Sequence, residues 1–289
     1  MENKIGKIIF KVAKTFIIED KQTKEKITAS IRKKLKADNT ILVGDNVEYK
    51  KIDNEYVIEK IMERKNSLIR PKVANINYLF LVYSVKEPDF SSFLLNKFLA
   101  FYESRNIDNV IIYFSKIDLL NEKEKNEIIK IINIYQSNGY IVFRSDLKEQ
   151  QKQDILNLFN NNTICFAGQS GVGKSTFINF LIPDLNLKTQ EISNSLNRGK
   201  HTTTSSLFIP FANGYLIDTP GFSSLELDMT KKELATSFHD FRTNHVNCKF
   251  RDCLHSKEKG CKIKELVNEN IIDKTRYEDY LKMLETIRN

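Results

Sequence analysis

The chain has 289 residues, 41% of them hydrophobic and 28% charged, with a formal net charge of +8 and a pI of about 9.1. This composition excludes an intrinsically disordered chain, and no apolar run is long enough for a signal peptide or a membrane span. A soluble cytoplasmic protein of two or three domains, monomeric and without a membrane partner, is therefore expected. The basic balance favours a polyanionic partner such as nucleic acid, although lysines spread over the whole sequence also suit a plain solvated surface.

Residues 1–67 contain five short β-prone runs, at 8–10, 15–18, 27–31, 46–49 and 56–58, separated by turn residues. Five short strands in so small a segment predict a closed, OB-like barrel that fills its own interior. Arg32, Lys33, Lys34 and Lys36, with Lys50 and Lys51, would form a patch on it able to face phosphates, or a scatter of solvated lysines.

Residues 68–225 read as an α/β domain. A continuous apolar run at 76–83 predicts a buried parallel strand, 90–104 a helix and 110–114 a second strand. That strand runs into Ser115-Lys116-Ile117-Asp118, then a charged helix at 121–136, a strand at 140–143 and Ser145. A carboxylate such as Asp118 at a strand end can accept both guanine N1–H and N2–H₂, a donor pair that adenine lacks. Lys116 could lay its stem along the base plane.

The most informative stretch follows. A strand at 164–167 breaks at Gly168, and a helix starts at Lys174 and stops before Pro183. Between them lies Gly168-Gln169-Ser170-Gly171-Val172-Gly173-Lys174-Ser175, in which glycines let successive N–H groups turn inward onto phosphate oxygens. Lys174 would reach the β/γ-phosphates and Ser175 would ligate Mg²⁺. Further on, His201-Thr202-Thr203-Thr204 occupies the place of a switch loop. A hairpin with its turn at Asn213-Gly214 then ends in Asp218-Thr219-Pro220-Gly221. Asp218 would hold the Mg²⁺ water shell, Gly221 would sense the γ-phosphate, and one of the three threonines would close over the ion. These are the parts of a GTPase in permuted order, because the base-reading residues precede the phosphate loop.

Residues 226–289 hold Cys248, Cys253, His255 and Cys261 within fourteen residues, whereas Cys165, the fourth cysteine, falls in the strand before the phosphate loop and is expected to pack there. Three thiolates and an imidazole make a closed tetrahedral Cys₃His set, which suits one structural zinc ion rather than a catalytic one. Lys249, Arg251, Lys257, Lys259, Lys262 and Lys264 surround it, a basic platform suited to RNA. A helix at 275–287 would bury Tyr277, Tyr280, Leu281 and Leu284 on one face.

Over essentially its whole length the sequence resembles the small-subunit-dependent ribosomal GTPases of the RsgA/YjeQ family. The resemblance rests on Gly44-Asp45-Asn46-Val47, Pro88-Asp89-Phe90, the phosphate loop, Gly199-Lys200-His201-Thr202-Thr203-Thr204, Asp218-Thr219-Pro220-Gly221-Phe222 and the cysteine–histidine cluster. It implies an N-terminal OB-like barrel, a circularly permuted P-loop GTPase domain and a mostly α zinc-binding C-terminal domain. It also implies a late maturation factor that binds the small ribosomal subunit and its rRNA, cycles between GTP and GDP, and is stimulated by the subunit. Two departures stand out. Ser115 replaces the asparagine of the usual Asn-Lys-x-Asp motif and is expected to lose the amide that braces the loop, and Lys200 replaces a common arginine. Phe222 stands where Ras-like enzymes carry a water-positioning glutamine, so the resemblance makes His201 the catalytic candidate. The rival readings are an ATP-using enzyme on the same loop, and a nucleic-acid-binding module with a regulatory nucleotide site.

Overall fold

The computed structural model describes residues 3–12, 15–31, 41–68, 72–107, 109–183, 185, 207–219 and 226–287. The first half contains strands β1 (Lys4–Val12), β2 (Thr15–Asp20), β3 (Lys26–Ile31), β4 (Asn46–Ile52), β5 (Glu55–Ile61), β6 (Ser67–Leu68), β7 (Val73–Ala74) and β8 (Tyr78–Ser84). Helix α1 (Ser92–Glu103), β9 (Asn109–Ser115), α2 (Glu122–Ser137), β10 (Ile141–Arg144) and α3 (Glu149–Asn157) follow. Next come β11 (Thr163–Ala167), α4 (Lys174–Leu181), β12 (Leu207–Phe211) and β13 (Gly214–Asp218). The chain closes with α5 (Lys231–Ala235), α6 (His239–His245), α7 (Lys262–Asn268) and α8 (Lys274–Thr286). It divides into two compact units: Met1–Tyr78 with Gln153–Phe166 and Pro183–Pro220, and Leu79–Lys152 with Ala167–Ile182 and Gly221–Asn289.

In the first unit β1-β2-β3-β5-β4 close into the expected barrel. Period-two alternation places Ile8, Phe16, Ile18, Ala29, Val47, Tyr49 and Ile58 inside it. Asp20 takes the Tyr49 hydroxyl and the N–H groups of Gln22 and Thr23, and these bonds, the tyrosine's foremost, hold its carboxyl down to about 2. The Gly44-Asp45 step has a structural role. Gly44 sits at φ +93° with the Ala74 carbonyl 2.1 Å from where a Cβ would stand, and buried Asp45 receives a two-pronged bond from Arg64 at 2.7 and 2.9 Å.

The same unit contains β11 parallel to β13, which forms an antiparallel hairpin with β12. The turn falls one residue earlier than expected. Ala212 and Asn213 carry the positive φ values, 45° and 61°, while Gly214 begins β13, where a Cβ would lie 2.0 Å from the Phe159 carbonyl.

In the second unit the strands run β10-β9-β8, with β10 parallel to β9. Seven-residue β8 and β9 are apolar over most of their length and buried, as strands covered on both faces must be. Asn121 and Glu124 form a reciprocal capping box that fixes the start of α2 directly after the base-reading loop. Around α8, Phe238, Phe241, Ile263, Leu266, Ile272, Tyr280 and Met283 make an apolar core. Beside it Arg276, 2% exposed, bonds Asn96 of α1 at 2.8 Å and Asp240 of α6 at 2.9 Å, under the rings of Tyr135, Tyr140 and Phe238. Asn96 in turn donates to Asp279 and accepts from Tyr135. Among the described residues no helix is long and apolar enough to cross a membrane.

Candidate nucleotide site and Cys₃His centre

The expected base-reading loop begins where β9 ends. Ser115 is buried, and its hydroxyl lies 2.5 Å from the Val172 carbonyl of the phosphate loop and 3.3 Å from the Tyr83 carbonyl. In place of the missing amide, the Ser115 hydroxyl joins the two loops, which approach closely: a Cβ at Gly173 would stand 3.6 Å from the Ser115 Cβ. Lys116 then adopts a left-handed conformation at φ +62° and turns the chain into a single 3₁₀ turn, Ile117–Leu119. The Ile117 N–H donates to Ser145 Oγ at 3.0 Å, and Ser145 N–H donates to the Phe114 carbonyl at 2.8 Å, so the residue after β10 holds this turn in place. Lys116 reaches the Glu87 carbonyl through its ammonium. Asp118 stands exposed on the turn.

The phosphate loop is shaped by three glycines with distinct duties. At Gly168 a Cβ would fall 2.5 Å from the Val82 carbonyl, whereas Gly171 and Gly173 take left-handed φ values of +79° and +86°. Val172 is buried, Gln169 half-buried and Ser170 exposed. Helix α4 starts at Lys174, which is buried, and presents the exposed Ser175 in its first turn. Phe177 one turn later stacks on Tyr113 of β9 with ring centroids 3.5 Å apart, which fixes the helix against the strand that carries the base-reading loop. Burial, with Asp146 and Asp118 nearby, pushes the Tyr113 phenol well above its ordinary range.

In the first unit Asp218 closes β13, half-buried, and the Thr219 hydroxyl donates to the Phe166 carbonyl at 2.8 Å. His201, Thr202, Thr203, Thr204 and Gly221 lie outside the described residues, as do Lys200 and Phe222.

The second constellation is assembled from side chains. Ligand atoms of Cys248, Cys253, His255 and Cys261 all lie within 4.8 Å of one another. The His255 Nδ1 faces the sulfurs, 3.3 Å from Cys261 and 3.7 Å from Cys248, while its Nε2 meets the Ala235 carbonyl at 3.1 Å and His245 Nδ1 at 3.2 Å. A proton on Nε2 donated to Ala235 leaves Nδ1 free to ligate, the usual outer-shell arrangement for a metal-bound histidine. Burial, reinforced by His245, presses His255 down to about 4, so the ring is neutral. Burial also pushes the Cys253 thiol up to about 12 and Cys261 upward, so a cation is what would turn these thiols into thiolates.

The ligand loop is tied down by residues that the sequence reading did not assign to it. Tyr277 donates to the His255 carbonyl at 2.6 Å and Tyr280 to the Leu254 carbonyl at 2.5 Å, which gives the buried face of α8 a second purpose. Glu258 accepts from the N–H groups of Leu254 and Ser256; burial works against its charge, but these bonds outweigh it and hold the carboxyl below its usual value. Their one signal in the sequence is the i, i+3 spacing of the two tyrosines opposite a cysteine-rich loop.

Comparison with known proteins adds to this geometry. A family model described as RsgA GTPase matches residues 61–228. The small ribosomal subunit biogenesis GTPase RsgA of Malacoplasma penetrans is 65% identical over 98% of this chain and 99% of its own, and that of Ureaplasma urealyticum 49% over 86% and 82%. Among solved structures, the circularly permuted GTPase YloQ superposes with a TM-score of 0.81 at 33% identity, covering 100% of this chain and 98% of its own. YjeQ from Thermotoga maritima gives 0.80 at 31%, covering 99% and 100%.

Proposed function

The chain belongs to the RsgA GTPase family, and from that premise we propose that it binds the small ribosomal subunit through rRNA and hydrolyses GTP there, stimulated by the subunit, so as to be released. GTP hydrolysis is the family's activity, and the observation that carries its assignment to these residues is the bond from Ser115 to Val172, which joins the base-reading turn to the phosphate loop. Asp118 selects guanine through its carboxylate, and Ser145 steadies the turn. The N–H groups of Gly168 to Ser175 and the Lys174 ammonium hold the phosphates and oppose the charge that builds up during transfer.

Mg²⁺ with GTP would be held by Ser175, with Asp218 on its water shell and one of Thr202, Thr203 and Thr204 above it; it supplies charge neutralisation on the β/γ-phosphates. His201 orients the attacking water and Gly221 senses the γ-phosphate. One structural zinc ion would be held by Cys248, Cys253, His255 and Cys261, whose donor set and geometry fit it. The protein works as a cytoplasmic monomer, organised as a barrel over 1–67, a GTPase domain over 68–225 and a zinc-binding region over 226–289.

Turnover measured with GTP and with ATP, each with and without purified small subunits, tests the proposal. GTP-selective turnover that rises with added subunits is expected. Equal use of ATP, or no response to subunits, would overturn it. His201→Ala is expected to lower subunit-stimulated turnover and leave nucleotide affinity unchanged.

A further inference from the structure

The turn that joins α6 to the sulfur ligands displays two apolar side chains to solvent, Val246 at 79% and Phe250 at 44% exposure. Phe250 stands among charges. Exposed Lys249 and Arg251 flank Phe250, and the Lys249 ammonium lies 5.6 Å from the centre of its ring. Over residues 246–260 the charges are Lys249, Arg251, Lys257 and Lys259 against Asp252 and Glu258, and Glu258 is already committed to main-chain N–H groups.

The ring is also held on a stiff support. Cys248 and Cys253 of the Cys₃His centre bracket it, the Lys249 N–H donates to the Gly260 carbonyl at 3.0 Å, and His245 Nε2 meets the Arg251 carbonyl at 3.0 Å. An aromatic ring held out to water on a tethered turn loses little freedom when something covers it. A protein or membrane partner would call for a contiguous apolar patch, whereas both chain neighbours of Phe250 are cationic. A flat ring between cations matches instead a nucleobase with its phosphates.

We propose that Phe250 is a stacking platform for an unpaired RNA base, with Lys249 and Arg251 on the adjoining phosphates. The inference rests on the RNA-binding reading above and sharpens it: the recognised element is a loop, bulge or end, because the bases of a duplex are closed to a side chain of this reach.

The sequence contains no tryptophan, so Phe250→Trp places a single fluorescent reporter at the site. The full chain carrying it is titrated with a dye-labelled single-stranded RNA dodecamer and, separately, with the matching duplex, following dye anisotropy and tryptophan emission together. With the single strand, anisotropy is expected to rise and emission to fall over the same concentrations, while the duplex leaves emission unchanged. Phe250→Leu, which keeps the apolar bulk without the ring, should bind the strand about tenfold more weakly, and Phe250→Tyr should bind as the parent does. Unchanged circular dichroism and zinc content in these variants would assign the loss to the ring. Lys249→Gln should reduce the slope of log affinity against log salt by about one. If the strand binds with emission constant, or Phe250→Leu binds like the parent, the stacking site is overturned while RNA binding stands. If no RNA binds at all, both fall.

Discussion

The candidate phosphate loop is shaped by its main chain, whereas the Cys₃His centre is assembled from four side chains, and each region is stabilised accordingly. The loop needs glycines where other residues would clash or strain, at Gly168, Gly171 and Gly173, and Ser115 braces it. The cysteine–histidine turn has little apolar surface of its own and is held by Tyr277, Tyr280 and Ala235 around donors that call for a cation. A backbone cradle is thus specified by what is missing from its side chains, and a metal cage by side chains that must converge.

Removing metal should separate the two most sharply. Structural zinc is worth on the order of 10–16 kcal/mol apparent, so Cys253→Ser, or a strong chelator, is expected to melt the C-terminal region well below the parent's transition. Calorimetry with zinc quantification checks this, and an unchanged transition in the metal-free chain would break the contrast. Lys174→Ala removes a single charged donor from the cradle. It should lower kcat about 10²–10³-fold with the melting temperature little changed, as read by phosphate release and thermal unfolding.

A third experiment uses pH. Burial raises the Glu103 carboxyl from 4.5 to about 7, against the opposing pull of the Tyr140 hydroxyl, Arg242 and Arg276, with Asp240 adding to the rise. The folded chain therefore keeps this proton where the unfolded chain has lost it, and stability should decline between about pH 4.5 and 7, by about 3 kcal/mol from this group. Glu103→Gln should flatten that decline in denaturant titrations at pH 5 and pH 8, and a slope identical to the parent's would count against it. Ser115→Ala should have the smallest effect, about 1 kcal/mol or several-fold in GTP affinity, from loss of one bond between loops. Calorimetric titration with GTP would show it.

The barrel and the phosphate loop were legible because each repeats a local rule: alternation in the strands, and a glycine pattern between strand and helix. Short α5, α6 and α7, at five to seven residues, offer too little periodicity to be read, and polar α3 likewise escaped notice. The bond from Ser115 to the Val172 carbonyl is invisible in the sequence because it depends on how closely two loops distant in the chain approach. The hairpin turn shifted by one residue because the close approach of Phe159 to Gly214, a tertiary contact, decides where the glycine belongs. Arg276 reads as one more basic residue on an amphipathic helix, and only coordinates show it enclosed by three rings and two polar partners.

That enclosed guanidinium also sets where the polypeptide can be shortened. A fragment ending before residue 226 would leave Asn96, Tyr135 and Tyr140 facing water around a vacated hole, with the Asn96 amide stripped of both Arg276 and Asp279. A minimal GTP-hydrolysing piece therefore needs the last helix as a plug, and screens for soluble truncations should trim from the barrel end first.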